Sequence, residues 1–265
     1  MAERPRFAIV APAAARRPIV AHIPHASRVI PPDVRDGLLV DDAELARELL
    51  RLTDWHADRL YASVADLGAT RFVHGVSRLV VDPERFPDDR EEPMSKVGQG
   101  VVYTRTTDGR ALRADDPVER ERLMERYFRP YHAALTELVA GTLDAFGSCL
   151  ILDCHSFATH PHPSEPDQSP DRPDICIGTD GFHTPPALTG ALVAAMEAEG
   201  FRVEVDRPFA GSLVPLAWYG TDRRVSSVML ETRRGLYCDE TSGAVLPTFD
   251  AVAARICRAL GAAIG

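Results

Sequence analysis

Three apolar runs in this chain end in groups that ligate metals or move protons. Ile19-Val20-Ala21-His22-Ile23-Pro24-His25 closes on histidine, Leu150-Ile151-Leu152-Asp153-Cys154-His155-Ser156 on an acid and a histidine, and Val228-Met229-Leu230-Glu231 on a carboxylate. Short aliphatic runs read as buried strands, and open α/β sheets collect ligands beyond the carboxyl ends of their strands. His, His and Glu brought to one sheet edge would hold a metal with imidazoles and set a carboxylate beside it, which is hydrolase chemistry.

Other residues extend that constellation. Asp54, in Thr53-Asp54-Trp55-His56, lies between two helical patterns. It reads either as a helix N-cap or as the third, oxygen ligand of a two-His, one-carboxylate zinc site with water in the fourth position. His22 and His56 are its substitutes, although residues i and i+3 of an extended strand, such as His22 and His25, point to opposite faces. Glu231 reads either as the salt-bridge partner of Arg233 or Arg234, or as a general base for the water. Arg78 and Arg85 bracket Leu79-Val80-Val81-Asp82-Pro83-Glu84. The planar fork of arginine matches a carboxylate, so the two form a candidate clamp for an acidic substrate. His160 and His162, in a Pro-rich loop, are expected to be solvated.

The elements needed to position these groups alternate along the chain. Residues 1–17 read as an arm, and a strand follows over 18–24. Asp41 and Glu44 have capping-box spacing and start a helix through Leu52. A second helix carries Trp55, Leu60, Tyr61 and Val64 and stops at Gly68. Strands are expected at 71–73 and 79–81, then a polar excursion over 83–114. Asp116-Pro117-Val118-Glu119 opens the longest helix, which ends near Gly147. The central strand 149–153, a Pro-rich loop over 158–174, a strand at 175–177, a helix opened by Thr184-Pro185-Pro186 and stopped by Gly200, and strands at 201–205 and 225–230 follow. A last helix carries Leu246, Phe249, Val252, Ile256 and Leu260. This alternation predicts one three-layer α/β domain over residues 1–265, a mostly parallel mixed sheet with helices on both faces.

Composition narrows the function classes. The 265 residues suffice for one large α/β domain. Five cysteines, an odd number without C-x-x-C spacing, argue against a disulfide framework or zinc ribbon; Cys149 and Cys154 read as small core residues. A net charge of -9 without a basic block argues against nucleic acid and anionic membranes as partners. No apolar run reaches the ~20 residues of a membrane span, and no secretion signal opens the chain, so a cytoplasmic location is expected. There is no G-x-S-x-G elbow, P-loop or dinucleotide fingerprint.

At these residues the chain resembles the N-formylglutamate amidohydrolase family. The shared blocks, in order, are Pro24-His25-Ala26-Ser27 with Ile30-Pro31, Thr53-Asp54-Trp55-His56 through Tyr61, Ser77-Arg78 through Asp82 with Arg85, Tyr127-Phe128-Arg129-Pro130-Tyr131-His132, Asp153-Cys154-His155-Ser156-Phe157, and Glu231-Thr232-Arg233 with Leu236-Tyr237. The resemblance implies a phosphorylase/hydrolase-like fold related to zinc carboxypeptidases and aspartoacylase. It makes His25 and His155 look like zinc ligands, Glu231 like the base, and Arg78 and Arg85 like the carboxylate clamp. Those relatives place a ligating Glu three residues after the first His. Here that position is Arg28, so Asp54 takes the third place. The family usually shows Asp-x-Asn-Arg where this chain has Asp82-Pro83-Glu84-Arg85, which puts a negative charge beside the clamp. Many members also carry His where this chain has Trp218 before Tyr219-Gly220.

Together these readings predict a zinc-dependent amidohydrolase that removes the N-formyl or N-acyl group of a small acidic amino acid. The resemblance names N-formylglutamate as the substrate and histidine degradation as the route. A carboxypeptidase-like peptidase or peptide amidase on the same metal site, and a non-catalytic ligand-binding relative, are the alternatives. Oligomeric state leaves no signal in the sequence.

Overall fold

The computed structural model describes residues 6–265. Its strands are β1 (Phe7–Val10), β2 (Ile19–Ile23), β3 (Thr70–His74), β4 (Cys149–Phe157), β5 (Ile175–Gly178), β6 (Val203–Val205) and β7 (Val225–Arg233), with a short ribbon of β8 (Cys238–Asp239) and β9 (Ala244–Val245). The first seven make one sheet in the order β1-β3-β2-β4-β7-β5-β6. The central strands β3, β2, β4 and β7 run parallel. β1 is antiparallel to β3 and β5 is antiparallel to β7, while β6 pairs parallel with β5. The sheet is therefore mixed and mostly parallel, as its alternating elements predict.

The helices are α1 (Pro32–Arg35), α2 (Asp42–Leu52), α3 (Ala57–Leu60), α4 (Pro117–Leu123), α5 (Arg129–Phe146), α6 (Pro186–Ala198) and α7 (Phe249–Ile264). Successive strand residues point to opposite faces, and the two cores follow that rule. Val20, Ile151 and Val225 meet Tyr131, Leu135 and Val139 of α5 on one face. Ala21, Leu152 and Val228 meet Leu192 of α6 and Val252, Ile256 and Leu260 of α7 on the other. Helices cover both faces, which gives the three layers.

Local signals hold where the chemistry is local. The Asp41 carboxylate accepts the Glu44 N–H at 2.7 Å at the start of α2. Asp116 accepts from Val118 at 2.9 Å at the start of α4. Gly147, at φ 77°, ends α5.

Four expectations need correction. Residues 1–5 of the predicted arm lie outside the described residues, but 7–10 form the edge strand β1. Leu79-Val80-Val81 is fully buried yet is not a strand. Ser77 turns the chain there, its C=O accepting the Val80 N–H and its hydroxyl the Leu79 N–H, and a short apolar run reports burial, not backbone form. The predicted second helix is broken at Tyr61 into α3 and a 3-10 turn, Ala62–Leu67. The Tyr61 hydroxyl is drawn into the sheet, where it donates toward the carbonyls of His155 at 3.2 Å and Leu230 at 3.1 Å. The central strands are also longer than expected, so His155 and Glu231 lie within β4 and β7, side by side in register.

One glycine shows how tightly the loop around Asp54 is held. Gly243 has φ 72°, and a Cβ there would collide with the Trp55 ring. Its carbonyl accepts a hydrogen bond from His56 Nε2 at 2.8 Å. Gly243→Ala adds backbone strain to overpacking and is expected to cost about 2 kcal/mol or more. A thermal melt measures this; an unchanged midpoint would mean that Trp55 moves aside freely.

Candidate active site

Strand register builds the site. His22 of β2 lies beside Asp153 of β4, and His155 of β4 beside Glu231 of β7. Two residues beyond β2, the His25 carbonyl accepts the Asp54 N–H at 3.0 Å, which ties the loop after α2 to the sheet edge. The three residues His25, Asp54 and His155 are thereby brought together, buried, with ligand atoms within 4.8 Å of one another. Asp54 Oδ2 lies 3.1 Å from His155 Nδ1 and 3.8 Å from His25 Nδ1.

Asp54 does not cap α3 with its side chain; its carboxylate is spent on the histidines. His56, its expected substitute, bonds the Gly243 carbonyl. His22, the other, stands behind the cluster and shares Asp153 with His155. Its Nδ1–H donates to Asp153 Oδ1 at 2.7 Å, and its Nε2 accepts from the Tyr131 hydroxyl at 2.5 Å.

Each of the two clustered imidazoles is oriented from behind. His25 Nε2–H donates to Asp82 Oδ1 at 2.8 Å. Its other nitrogen, Nδ1, is buried without a hydrogen-bond partner. His155 Nε2–H faces Asp153 Oδ1 and Glu84 Oε1, both at 3.1 Å. Carboxylates behind histidines are the usual supports of metal-ligating imidazoles. An orphaned imidazole nitrogen, a second imidazole and a carboxylate oxygen facing one point fit a first-row divalent cation.

The charges agree. Burial lowers the His25 pKa, with the Arg78 cation adding to the effect against Asp82 and Glu84. Burial also works against the charged form of His155, but Glu84, Asp153 and Asp54 outweigh it and raise its pKa well above the usual value. Those carboxylates favour the protonated form of His155 in the metal-free protein. A divalent ion would displace that proton, so affinity falls as pH drops.

Glu231 forms no salt bridge with either neighbouring arginine. Arg233 reaches Asp174, and Arg234 bonds backbone carbonyls and Ser156. Glu231 Oε2 is buried and unpartnered. Burial pushes its carboxyl up to about 8, with Asp54 and Glu84 adding repulsion and His155 and Arg78 opposing.

Arg78 and Arg85 line the cavity, but each also leans on Asp82. Arg78 reaches Asp82 Oδ2 through Nε at 3.1 Å and Nη2 at 2.6 Å. Arg85 Nε lies 3.6 Å from the same oxygen and donates to the Gln99 carbonyl at 3.2 Å. Tyr103 completes the ring around Asp82 at 2.7 Å. Asp82 is thus a member of the site that the strand-end pattern did not single out, although it closes the apolar run 79–81 in the same manner. His162 is half-buried rather than solvated, its Nε2–H donating to the Arg51 carbonyl at 3.0 Å; His160 is exposed.

All of this opens into a cavity of about 730 Å³, lined by His25, Asp54, Glu84, His155 and Glu231 among others. That volume is in the range that encloses small-molecule ligands. A buried carboxylate oxygen without a partner, beside a His/Asp/His cluster at the carboxyl ends of parallel strands, is an arrangement that can hold a divalent cation and take a proton from water, the chemistry of a metal-dependent hydrolase on an α/β sheet.

The sequence model of the N-formylglutamate amidohydrolase family matches residues 17–238, and the chain belongs to that family. It is 33% identical to an N-formylglutamate deformylase of Pseudomonas aeruginosa and 31% identical to one of Pseudomonas putida, each over 233 residues covering 85% of this chain and 84% of the relative. The crystal structure of N-formylglutamate amidohydrolase from Ralstonia eutropha JMP134 superposes with a TM-score of 0.82 at 26% identity, covering 95% of this chain and 94% of that one.

Proposed function

We propose that this chain hydrolyses the amide of N-formylglutamate, releasing formate and glutamate, with a divalent cation on His25, Asp54 and His155. The observation that carries the reading is Glu231 Oε2, a buried carboxylate oxygen without a partner, in the same cavity as the orphaned His25 Nδ1. A bound cation supplies Lewis-acid polarisation of the formyl oxygen and lowers the pKa of water. Zinc suits two imidazoles and a carboxylate, and the family resemblance points to histidine degradation as the route.

The protein groups do the rest. Glu231 takes a proton from the attacking water as the C–O bond forms, then returns it to the nitrogen as the C–N bond breaks. Asp82 and Asp153 hold the two imidazoles in their orientations. Arg78 and Arg85, whose side chains are 15% and 19% exposed at the cavity, offer cationic edges to a substrate carboxylate.

Metal analysis paired with formate release tests the reading. About one ion per chain is expected, with turnover of N-formylglutamate lost on chelation and restored by zinc. Turnover unaffected by full metal removal would overturn the metal assignment. A metal-loaded protein without activity on N-formylglutamate would overturn the substrate.

A further inference from the structure

The cavity is lined by five arginines: Arg51, Arg78, Arg85, Arg129 and Arg234. Arg51 pairs with Glu48 at 3.3 Å, Arg129 with Glu125 at 2.6 Å and Arg78 with Asp82 at 2.6 Å. Arg85 leans on Asp82 at 3.6 Å. Arg234 differs. Its side chain is 4% exposed, and it is held by neutral acceptors: the carbonyls of Arg51 at 3.0 Å and Leu50 at 3.5 Å, with Ser156 Oγ and O each at 3.4 Å. Its nearest carboxylate oxygen is Asp54 Oδ1, 3.9 Å from Nη2, and the other oxygen of Asp54 already faces His155.

An arginine side chain keeps its charge when buried, and a buried charge without a close counter-ion is costly. The arrangement of Arg234 therefore favours an anion arriving from the cavity. We propose that Arg234 receives the α-carboxylate of the N-acyl amino acid, an assignment that rests on the amidohydrolase reading. Position selects the α-carboxylate over the side-chain one. Arg234 touches the far side of Asp54, a member of the cluster where the amide must sit. One carbon separates the α-carboxylate from the amide nitrogen, whereas three separate the side-chain carboxylate from it. The side-chain carboxylate is left to the Arg78 and Arg85 side of the cavity.

The test compares wild type, Arg234→Gln and Arg234→Lys on N-formylglutamate and on its α-carboxamide analogue. Losing a charge-assisted pair is expected to raise KM for the diacid about 10- to 100-fold, with a much smaller effect on kcat. For the α-carboxamide the wild type already has the raised KM, and Arg234→Gln adds nothing. Lys should restore part of the loss. Calorimetric titration of zinc into each protein, and of glutamate and its α-amide into zinc-loaded protein, needs no turnover. Unchanged zinc affinity with weakened glutamate binding is expected. Equal penalties on both substrates, or a loss of zinc affinity, would overturn the assignment and make Arg234 a support for Asp54. An inactive wild type would overturn the hydrolase reading alone, because glutamate binding still tests Arg234.

Discussion

Glu231→Gln is expected to lower kcat by about two to four orders of magnitude while the protein keeps its metal and its fold. The amide has the size of the carboxylate and fills the same space. It lacks the basic oxygen that accepts a proton from water. Stability should rise, because Oε2 is buried without a partner and a neutral group there carries a smaller desolvation cost. The pH dependence in the metal-free protein has a definite sign. The folded carboxyl sits at about 8, raised by burial and then by Asp54 and Glu84, against an ordinary value near 4.3 in an unfolded chain. Between those values the folded state binds the proton more tightly than the unfolded state. The contribution of Glu231 is fully present below the unfolded value and is lost as pH rises through the folded one. Denaturant melts of metal-free wild type and variant at pH 5 and pH 8 should show the variant's advantage growing toward pH 8. A variant that keeps kcat within tenfold would remove Glu231 from the base role.

Asp82→Asn has the second large effect, on metal affinity and stability together. Asp82 is fully buried and receives Arg78, Tyr103, the Glu84 N–H and His25. Without the carboxylate, the half-buried Arg78 loses its counter-ion and charge-assisted hydrogen bonds, a change of about 1.5–3 kcal/mol. His25 also loses the acceptor that fixes its ring, and removing such a support lowers metal affinity about 10- to 100-fold. Burial alone would raise the Asp82 pKa, but Arg78, Arg85 and His25 overcome it and hold the group well below the usual carboxylate range. Its contribution is therefore present above the unfolded value near 4 and lost as pH falls through the folded one. Wild type should lose stability on acidification below about pH 4 by a component that Asp82→Asn lacks. Thermal melts against pH and zinc titrations measure both. Full zinc affinity in a destabilised variant would make Asp82 a partner of Arg78 only.

The sequence by itself determined most of the elements and where chemistry gathers. Apolar runs and caps are local physics: Asp41, Asp116 and Gly147 act through hydrogen bonds or dihedrals within a few residues of themselves. Strand ends rich in His, Asp and Glu marked His25, His155 and Glu231 because a parallel sheet delivers such ends to one edge. Asp54 was legible as an acid between two helical patterns, but not the choice between capping and facing histidine. That choice belongs to the His25 carbonyl, which pins the Asp54 backbone, and to His155, 101 residues away.

Partner selection is what only the tertiary structure decided. Arg78 and Arg85 meet Asp82 within their own loop. Glu231 is left without the arginines next to it in sequence. His22 pairs with Asp153, not with His25. Spacing along the chain cannot fix these outcomes, because the register between strands far apart in sequence sets which side chains share a face and an edge. Tyr61 broke its predicted helix for the same reason: its hydroxyl found the carbonyls of β4 and β7, an acceptor set that exists only once those strands are paired.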